Sequence, residues 1–381
     1  MRKFIISFVL TAAAGCARVM APSGGEQDQE APRVVETEPE QGQMAMALAD
    51  TDLPVRFVFH ETISERSPRE MVQVSPETGE VEVERDGNVL EVRIAGGWRA
   101  GRVYRVTVLP GIVDRRGNPR TTSYELVFST GAPILHNAVG GIAVDRITGR
   151  PAVSARVEAR LRSDTSTVYT GVTDSAGFFA LRSLPAGDYT TVVYADQNRN
   201  RALDAAEARA ATDVTIGATD TLALELALLP NDTTPARLLR AEIRDSMQVR
   251  LFFDDYMEGN ASLTGIRVSA WQLPDSLIVG TTRVLTPRAF QTLRNDTTRV
   301  TSPRLPPADT ANVLPINELV WIPQRGFLPN TRYRITVTGF TNLHGLSGGG
   351  GSVVVTSPAP PRATPAAPRD TTARRDTTSL R

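Results

Sequence analysis

The residues with the best-defined chemical spacing form one run, Asp196-Gln197-Asn198-Arg199-Asn200-Arg201-Ala202-Leu203-Asp204-Ala205-Ala206-Glu207. Counted from Asp196, oxygen-bearing side chains fall at the first, third, fifth, ninth and twelfth positions, with apolar Leu203 at the eighth. A hard cation takes roughly six to eight oxygen ligands, and this spacing wraps short oxygen-bearing side chains around one point, as in a calcium loop. Asp196, Asn198, Asn200, Asp204 and Glu207 are the candidate side-chain ligands, Glu207 in bidentate fashion, and Ala202 would add its carbonyl. Arg201 stands at the sixth position, where such loops want glycine, and no helical pattern flanks the run. Only three of these ligands are charged, which weakens binding. The same residues also suit an Asx-rich turn after the strand that starts at Tyr189, closed by Asn and Asp side chains onto backbone amides.

Other chemistry-bearing residues are dispersed. Asp254 and Asp255 are adjacent in a strand pattern, so their side chains point to opposite faces and cannot share a substrate. His60, His136 and His344 stand singly, without the spacing of a zinc site. No nucleophile elbow or phosphate-binding loop occurs, and Gly348–Gly351 lacks a following helix, so it reads as a flexible hairpin. Three sequons begin at Asn231, Asn260 and Asn295. Trp98, Trp271 and Trp321 would form a sugar platform if exposed; packing in a core or hairpin is the expectation for each.

The elements that position these residues come from a chain of 381 residues, long enough for two to four cores. Its 42 lysines and arginines balance 42 acidic residues, so no global field favours nucleic acid. A single cysteine, Cys16, excludes an intrachain disulfide.

That cysteine closes a distinctive start. Arg2 and Lys3 precede the apolar run Phe4–Leu10, and Thr11-Ala12-Ala13-Ala14-Gly15 are small. This is the pattern of an export signal, far shorter than the roughly twenty apolar residues of a membrane span. Ala13-Ala14-Gly15-Cys16 resembles the lipobox of bacterial lipoproteins, with Ala13 where leucine is commoner. The resemblance implies cleavage after residue 15, acylation of Cys16, and anchoring to a membrane. Ala17 after the cysteine resembles the class sorted to the outer membrane, if the cell is Gram-negative. Residues 16–32 have almost nothing to bury and read as a tether.

From Val34 the chain alternates as short strands. Val55–Phe59, Met71–Val74, Val81–Glu84, Val89–Ile94, Tyr104–Val108 and Tyr124–Ser129 have strand character, and Asp86-Gly87 between two of them is a hairpin signal. Seven or so strands in a hundred residues predict a β-sandwich. The chain also repeats itself. Gly97-Trp98 through Val108 aligns with Gly326-Phe327 through Val337, Val55–Phe59 with Val249–Phe253, and Leu126–Phe128 with Val353–Val355. The Phe-rich strand, the Tyr-x-Val-x-Val strand, Asp114-x-x-Gly117-Asn118 and the closing Phe-Ser-Thr-Gly are similar to bacterial Ig-like domains of the S-layer type. The second copy departs over Leu285–Pro315, a long polar excursion in which Thr286 and Pro287 start a short helix through Leu293.

Between the copies, Gly140–Val144, Thr148-Gly149-Arg150-Pro151, Thr173–Phe179 and Leu184–Tyr189 resemble the transthyretin-like, or carboxypeptidase regulatory-like, module. The expected architecture is therefore all-β, with three tandem β-sandwich domains after the signal. The divisions are a signal at 1–15, the tether at 16–32, an Ig-like domain at 33–131 and a transthyretin-like domain at 132–230. A divergent Ig-like domain at 236–357 and a Pro- and Thr-rich disordered tail at 358–381 complete the chain.

No catalytic constellation is present, so the expected role is non-enzymatic. The chain reads as a lipid-anchored envelope protein that binds or scaffolds, with an envelope protein or a glycan as partner, no nucleic acid, and calcium as the one candidate cofactor. The alternative role is an accessory subunit of an envelope hydrolase or polysaccharide-handling complex.

Overall fold

A computed structural model describes residues 28–64, 68–274, 277–298 and 313–359. The export signal, Cys16, most of the tether, part of the excursion and nearly all of the tail lie outside the described residues. Two compact units are formed, residues 1–135 with 165–170, and residues 136–164 with 171–381.

The first sandwich has strands β1 (Val34–Glu38), β2 (Val55–Phe59), β3 (Val72–Ser75), β4 (Val81–Asp86), β5 (Val89–Ile94), β6 (Val103–Val108) and β7 (Tyr124–Ser129). They form two antiparallel sheets, ordered β1-β2-β5-β4 and β3-β6-β7. Strict alternation in β2 sends Val55, Phe57 and Phe59 inward, and in β6 it sends Tyr104, Val106 and Val108 inward. Trp98 fills the centre, its ring 5.0 Å from Tyr104 and 5.3 Å from Phe128, its indole N–H donating to Leu53 O at 2.9 Å. The β4–β5 hairpin turns on Gly87-Asn88, one residue beyond the Asp-Gly pair that signals it, because Asp86 still pairs with Val89.

Strands β8 (Ala138–Asp145), β9 (Arg156–Leu161), β10 (Asp164–Val172), β11 (Phe178–Arg182), β12 (Gly187–Tyr194), β13 (Arg209–Ile216) and β14 (Thr221–Leu228) follow. Their sheets are ordered β10-β9-β12-β13 and β11-β8-β14, with β14 parallel to β8. Buried Asn137 ties the ends of this module. Its Nδ2 donates to Leu184 O and Gly217 O, and its Oδ1 accepts from Leu184 N–H, all at 2.7–2.9 Å.

The last sandwich comprises β15 (Leu238–Asp245), β16 (Gln248–Met257), β17 (Arg267–Gln272), β18 (Leu277–Val279), β19 (Thr281–Leu285), helix α1 (Pro287–Thr298), β20 (Ile316–Pro323), β21 (Arg332–Phe340) and β22 (Gly349–Thr356). Its sheets, β15-β16-β20-β19 and β18-β17-β21-β22, repeat the first sandwich with one strand added. The excursion occupies the place of the β4–β5 hairpin. Helix α1 runs past Leu293 to Thr298, capped by Thr286 Oγ1, which accepts from Ala289 N–H at 3.2 Å. The glycine run is not a free hairpin: Gly349–Gly351 belong to β22, and a Cβ on Gly350 would sit 2.0 Å from Val337 O.

Candidate functional site

The loop Asp196–Glu207 connects β12 to β13, adjacent antiparallel strands whose pairing runs from Gly187↔Ile216 to Tyr194↔Arg209. The strands thus bring the ends of the loop together, and the side chains converge inside it. Asn198 Nδ2 and Asn200 Nδ2 both donate to Asp204 Oδ2, at 2.7 and 3.1 Å. The third, fifth and ninth positions therefore meet at one oxygen. Asp196 accepts Asn200 N–H at 3.1 Å and Arg201 N–H at 3.0 Å, and Asn200 Oδ1 accepts Ala202 N–H at 2.8 Å. Buried Glu207 accepts Gln197 N–H at 2.9 Å and Asp204 N–H at 3.0 Å. Arg201 has φ +60°, the left-handed conformation that explains why glycine suits the sixth position. These bonds are those of an Asx-rich turn, and they also hold the oxygen-bearing side chains of the calcium pattern on one loop.

Several ionisable groups elsewhere serve structure. Glu158 is buried among Arg156 Nε (2.8 Å), Arg160 Nη2 (2.7 Å) and Tyr194 OH (2.9 Å). Burial alone would raise its pKa, but Arg156, Tyr194 and Arg160 hold it below the usual carboxylate range. Tyr194 is pushed up by burial and by the Glu158 charge. Asp254 accepts Arg237 N–H, whereas Asp255 accepts Asn342 Nδ2, so the adjacent pair faces two ways. His344 Nε2 lies 2.8 Å from Pro230 O, and His60 Nδ1 accepts Arg33 N–H at 3.2 Å.

The fold also gathers three carboxylates that are far apart in sequence. Oxygens of Asp28, Glu61 and Asp114 lie within 4.8 Å of one another. No local spacing could have revealed this group, since Asp28 precedes β1, Glu61 follows β2 and Asp114 follows β6. Asp114 Oδ1 accepts the N–H groups of Arg116, Gly117 and Asn118 at 2.6–2.8 Å, which closes the Asp-x-x-Gly-Asn turn. Glu61 lies above its ordinary pKa through burial, His60 opposing and Asp114, Asp28 and Glu30 adding to the rise.

A groove of about 500 Å³ beside β1 and β2 is lined by Pro39, Met44, Met46, Leu48, Leu53 and Pro54, with Glu38, Gln43 and Arg56 among its polar groups. It holds no nucleophile paired with a base, so its chemistry is contact rather than reaction. Of the tryptophans, Trp98 and Trp321 are fully buried, and Trp271 is 37% exposed on β17. Among the described residues no helix is long and apolar enough to cross a membrane.

Residues 28–130 match the bacterial Ig-like domain, and residues 138–228 match the carboxypeptidase regulatory-like domain. Both are domain types that are typically non-catalytic. No curated protein matches the chain. Among solved structures, the chain resembles the major pilin subunit BcpA of Bacillus cereus at 12% identity and TM-score 0.18, over 48% of this chain and 61% of that one. It thus spans about three-fifths of the pilin's length. It also resembles domains MG0-NIE-MG1 of Escherichia coli alpha-2-macroglobulin, at 12% identity and TM-score 0.21, over 84% of this chain and 96% of that one. A DUF3823 family protein from Bacteroides uniformis aligns at 11% identity and TM-score 0.19, over 60% of this chain and all of that one. Likenesses at these scores carry no argument about function.

Proposed function

We propose that this chain is a non-catalytic, lipid-anchored protein of the bacterial cell envelope, an array of β-sandwiches that binds or scaffolds at the membrane surface. The observation that supports this is how the polar groups are spent. Asp114, Asn137, Glu158 and Asn342 all serve turns, strand ends or core pairs, and among the described residues no acid, base and nucleophile are assembled at a cleft. Cys16 supplies the anchor. Two or more acyl chains on it give stable attachment where one is marginal, and if the cell is Gram-negative, Ala17 after it supports sorting to the outer membrane. Fractionation of cells tests the reading. The wild-type chain is expected in the membrane pellet and a Cys16→Ser variant in the soluble exported fraction; a variant that stays in the pellet overturns it.

The β12–β13 loop is the array's calcium site in this proposal, with Asp196, Asn198, Asn200, Asp204 and Glu207 as ligands and Ala202 giving a carbonyl. The meeting of the Asn198, Asn200 and Asp204 side chains supports it. With three carboxylates and a left-handed arginine, the affinity expected under this proposal is in the weak range of extracellular modules, on the order of 10⁻⁴–10⁻³ M. Terbium luminescence on the chain, with Asp196→Ala as control, tests it; no signal at millimolar metal, or one unaltered by the substitution, removes calcium from the account.

A further inference from the structure

We propose that the solvent face of the β18-β17-β21-β22 sheet binds a strand of acidic polysaccharide, with Trp271 as the stacking platform and Arg267, Arg332 and Arg334 pairing with the sugar carboxylates. This rests on the reading of the chain as an exported binding module.

The register builds the face. Trp271 pairs with Arg334 on one side and with Ile278 on the other, and Arg334 pairs with Val354. These four form one cross-strand row in which Ile278 is 50%, Trp271 37% and Val354 49% exposed. The next row on the same face is Ser269, Thr336 and Ser352, all hydroxyls, with Thr336 and Ser352 2.8 Å apart. Alternation puts Arg267 and Arg332 on that face as well, at its two ends. A pyranose ring offers an apolar C–H face for an indole and hydroxyls around its rim, and the two rows are matched to those two surfaces.

Charge selects among sugars. The four strands of this sheet carry Arg267, Arg332 and Arg334 and not one Asp or Glu. Among the described residues none of the three has an ion-pair partner. The opposite sheet of the same sandwich behaves otherwise: Arg250 is held by Glu318, and Arg240 and Arg244 by Glu242. In a chain whose charges balance overall, this face is a local cationic strip.

The first sandwich supplies the internal control. Ser75 pairs with Arg105 as Trp271 pairs with Arg334, and Glu125 pairs with Thr107 as Ser352 pairs with Thr336. There Glu125 neutralises Arg105 at 2.7 Å. The second copy has tryptophan in place of that serine and serine in place of that glutamate, so one face has gained an aromatic plate and lost the carboxylate that would occupy its arginine.

Affinity electrophoresis of the full chain through gels containing polygalacturonate, dextran or single-stranded DNA tests this. Retardation by polygalacturonate alone is expected, weakened by added salt. Trp271→Ala and Arg334→Ala should each weaken it about tenfold or more. Ser352→Glu, which restores the pair seen at Arg105, should abolish it while the melting temperature holds. Absence of retardation overturns the proposal, as does wild-type retardation of Trp271→Ala and Arg334→Ala. Equal retardation by DNA or by dextran overturns it too, the first showing an unselective polyanion site and the second a site that ignores charge. Membrane fractionation reads the anchoring independently, so either idea can fail without the other.

Discussion

The phenol oxygen of Tyr104 accepts the backbone N–H of Arg99 at 2.9 Å, across a turn whose aromatic residue, Trp98, stands edge-on to the tyrosine ring. The same device recurs in the last sandwich. Tyr333 accepts Leu328 N–H at 3.0 Å, and Phe327 stands edge-on to its ring at 4.6 Å. Each tyrosine leads into the core with its ring and satisfies a backbone donor at the sandwich end with its hydroxyl, which ties strand entry to core packing.

Removing either hydroxyl leaves that N–H without its partner. Tyr104→Phe and Tyr333→Phe should each cost about 1–2 kcal/mol, read as a lower urea midpoint for the sandwich concerned. The sites share no partner and lie in different units, so each sandwich's loss should be the same in the double variant as in the single one.

Asp114 should make the first sandwich acid-sensitive. Burial tends to raise its pKa, but the Asn118 N–H and side-chain amide, with the N–H groups of Arg116 and Gly117, hold it below the usual carboxylate value. A lowered folded-state pKa contributes stability that is present above the unfolded value of about 3.9 and lost as pH falls through the folded one. Asn342 closes the equivalent turn of the last sandwich with a neutral amide, accepting His344 and Leu346 N–H at 3.1 and 2.9 Å. Below about pH 4 the first sandwich should therefore lose more stability, and Asp114→Asn should flatten that dependence. Asp114→Ala should cost about 2–3 kcal/mol at neutral pH, measured by thermal unfolding.

These relations show which features were legible in the chain. Alternation in Val55–Phe59 and Tyr104–Val108 fixes which side chains face inward, so the two sandwiches and their kinship could be read from residues alone. So could the Thr286 cap, a local bond. The extent of helix α1 could not, because its last turn continues beyond the apolar residues that define a period. The Asp28, Glu61 and Asp114 group depends on the segment before β1 and two connections meeting in space. Trp271 was the least legible: a large aromatic side chain argues for burial, whereas Arg267 and Ser269 on its side of β17 argue for exposure, and the second wins.

Glu61 gives the opposite pH sign to Asp114. Its pKa is raised, chiefly by burial and then by the neighbouring carboxylates against His60. Its contribution is full below the unfolded value of about 4.3 and lost as pH rises through the folded one. Glu61→Gln should therefore raise the melting temperature at pH 7 and leave it unchanged near pH 3.5; a fall at pH 7 would show that the ionised carboxylate is needed.

Arg201 allows the loop's backbone and its calcium chemistry to be separated. Its φ of +60° costs an ordinary residue about 1–2 kcal/mol relative to glycine. Arg201→Gly should stabilise the β12–β13 loop by about 1 kcal/mol in chelator, as a rise in melting temperature. Arg199, at φ +58°, carries similar strain but occupies the fourth position of the loop, outside the ligand pattern. Arg199→Gly should therefore give the same gain in chelator. Calcium distinguishes the two, because Arg201 lies where the chain must fold tightly round the ion and its guanidinium opposes a cation. With calcium at about ten times its dissociation constant, mass action adds about 1.4 kcal/mol. Arg201→Gly should reach that gain at a lower calcium concentration than wild type, and Arg199→Gly at the same one. An equal calcium response in all three chains would show that Arg201 does not oppose the ion, and no response in any of them would leave the loop an Asx turn with two strained residues and no ion-binding role.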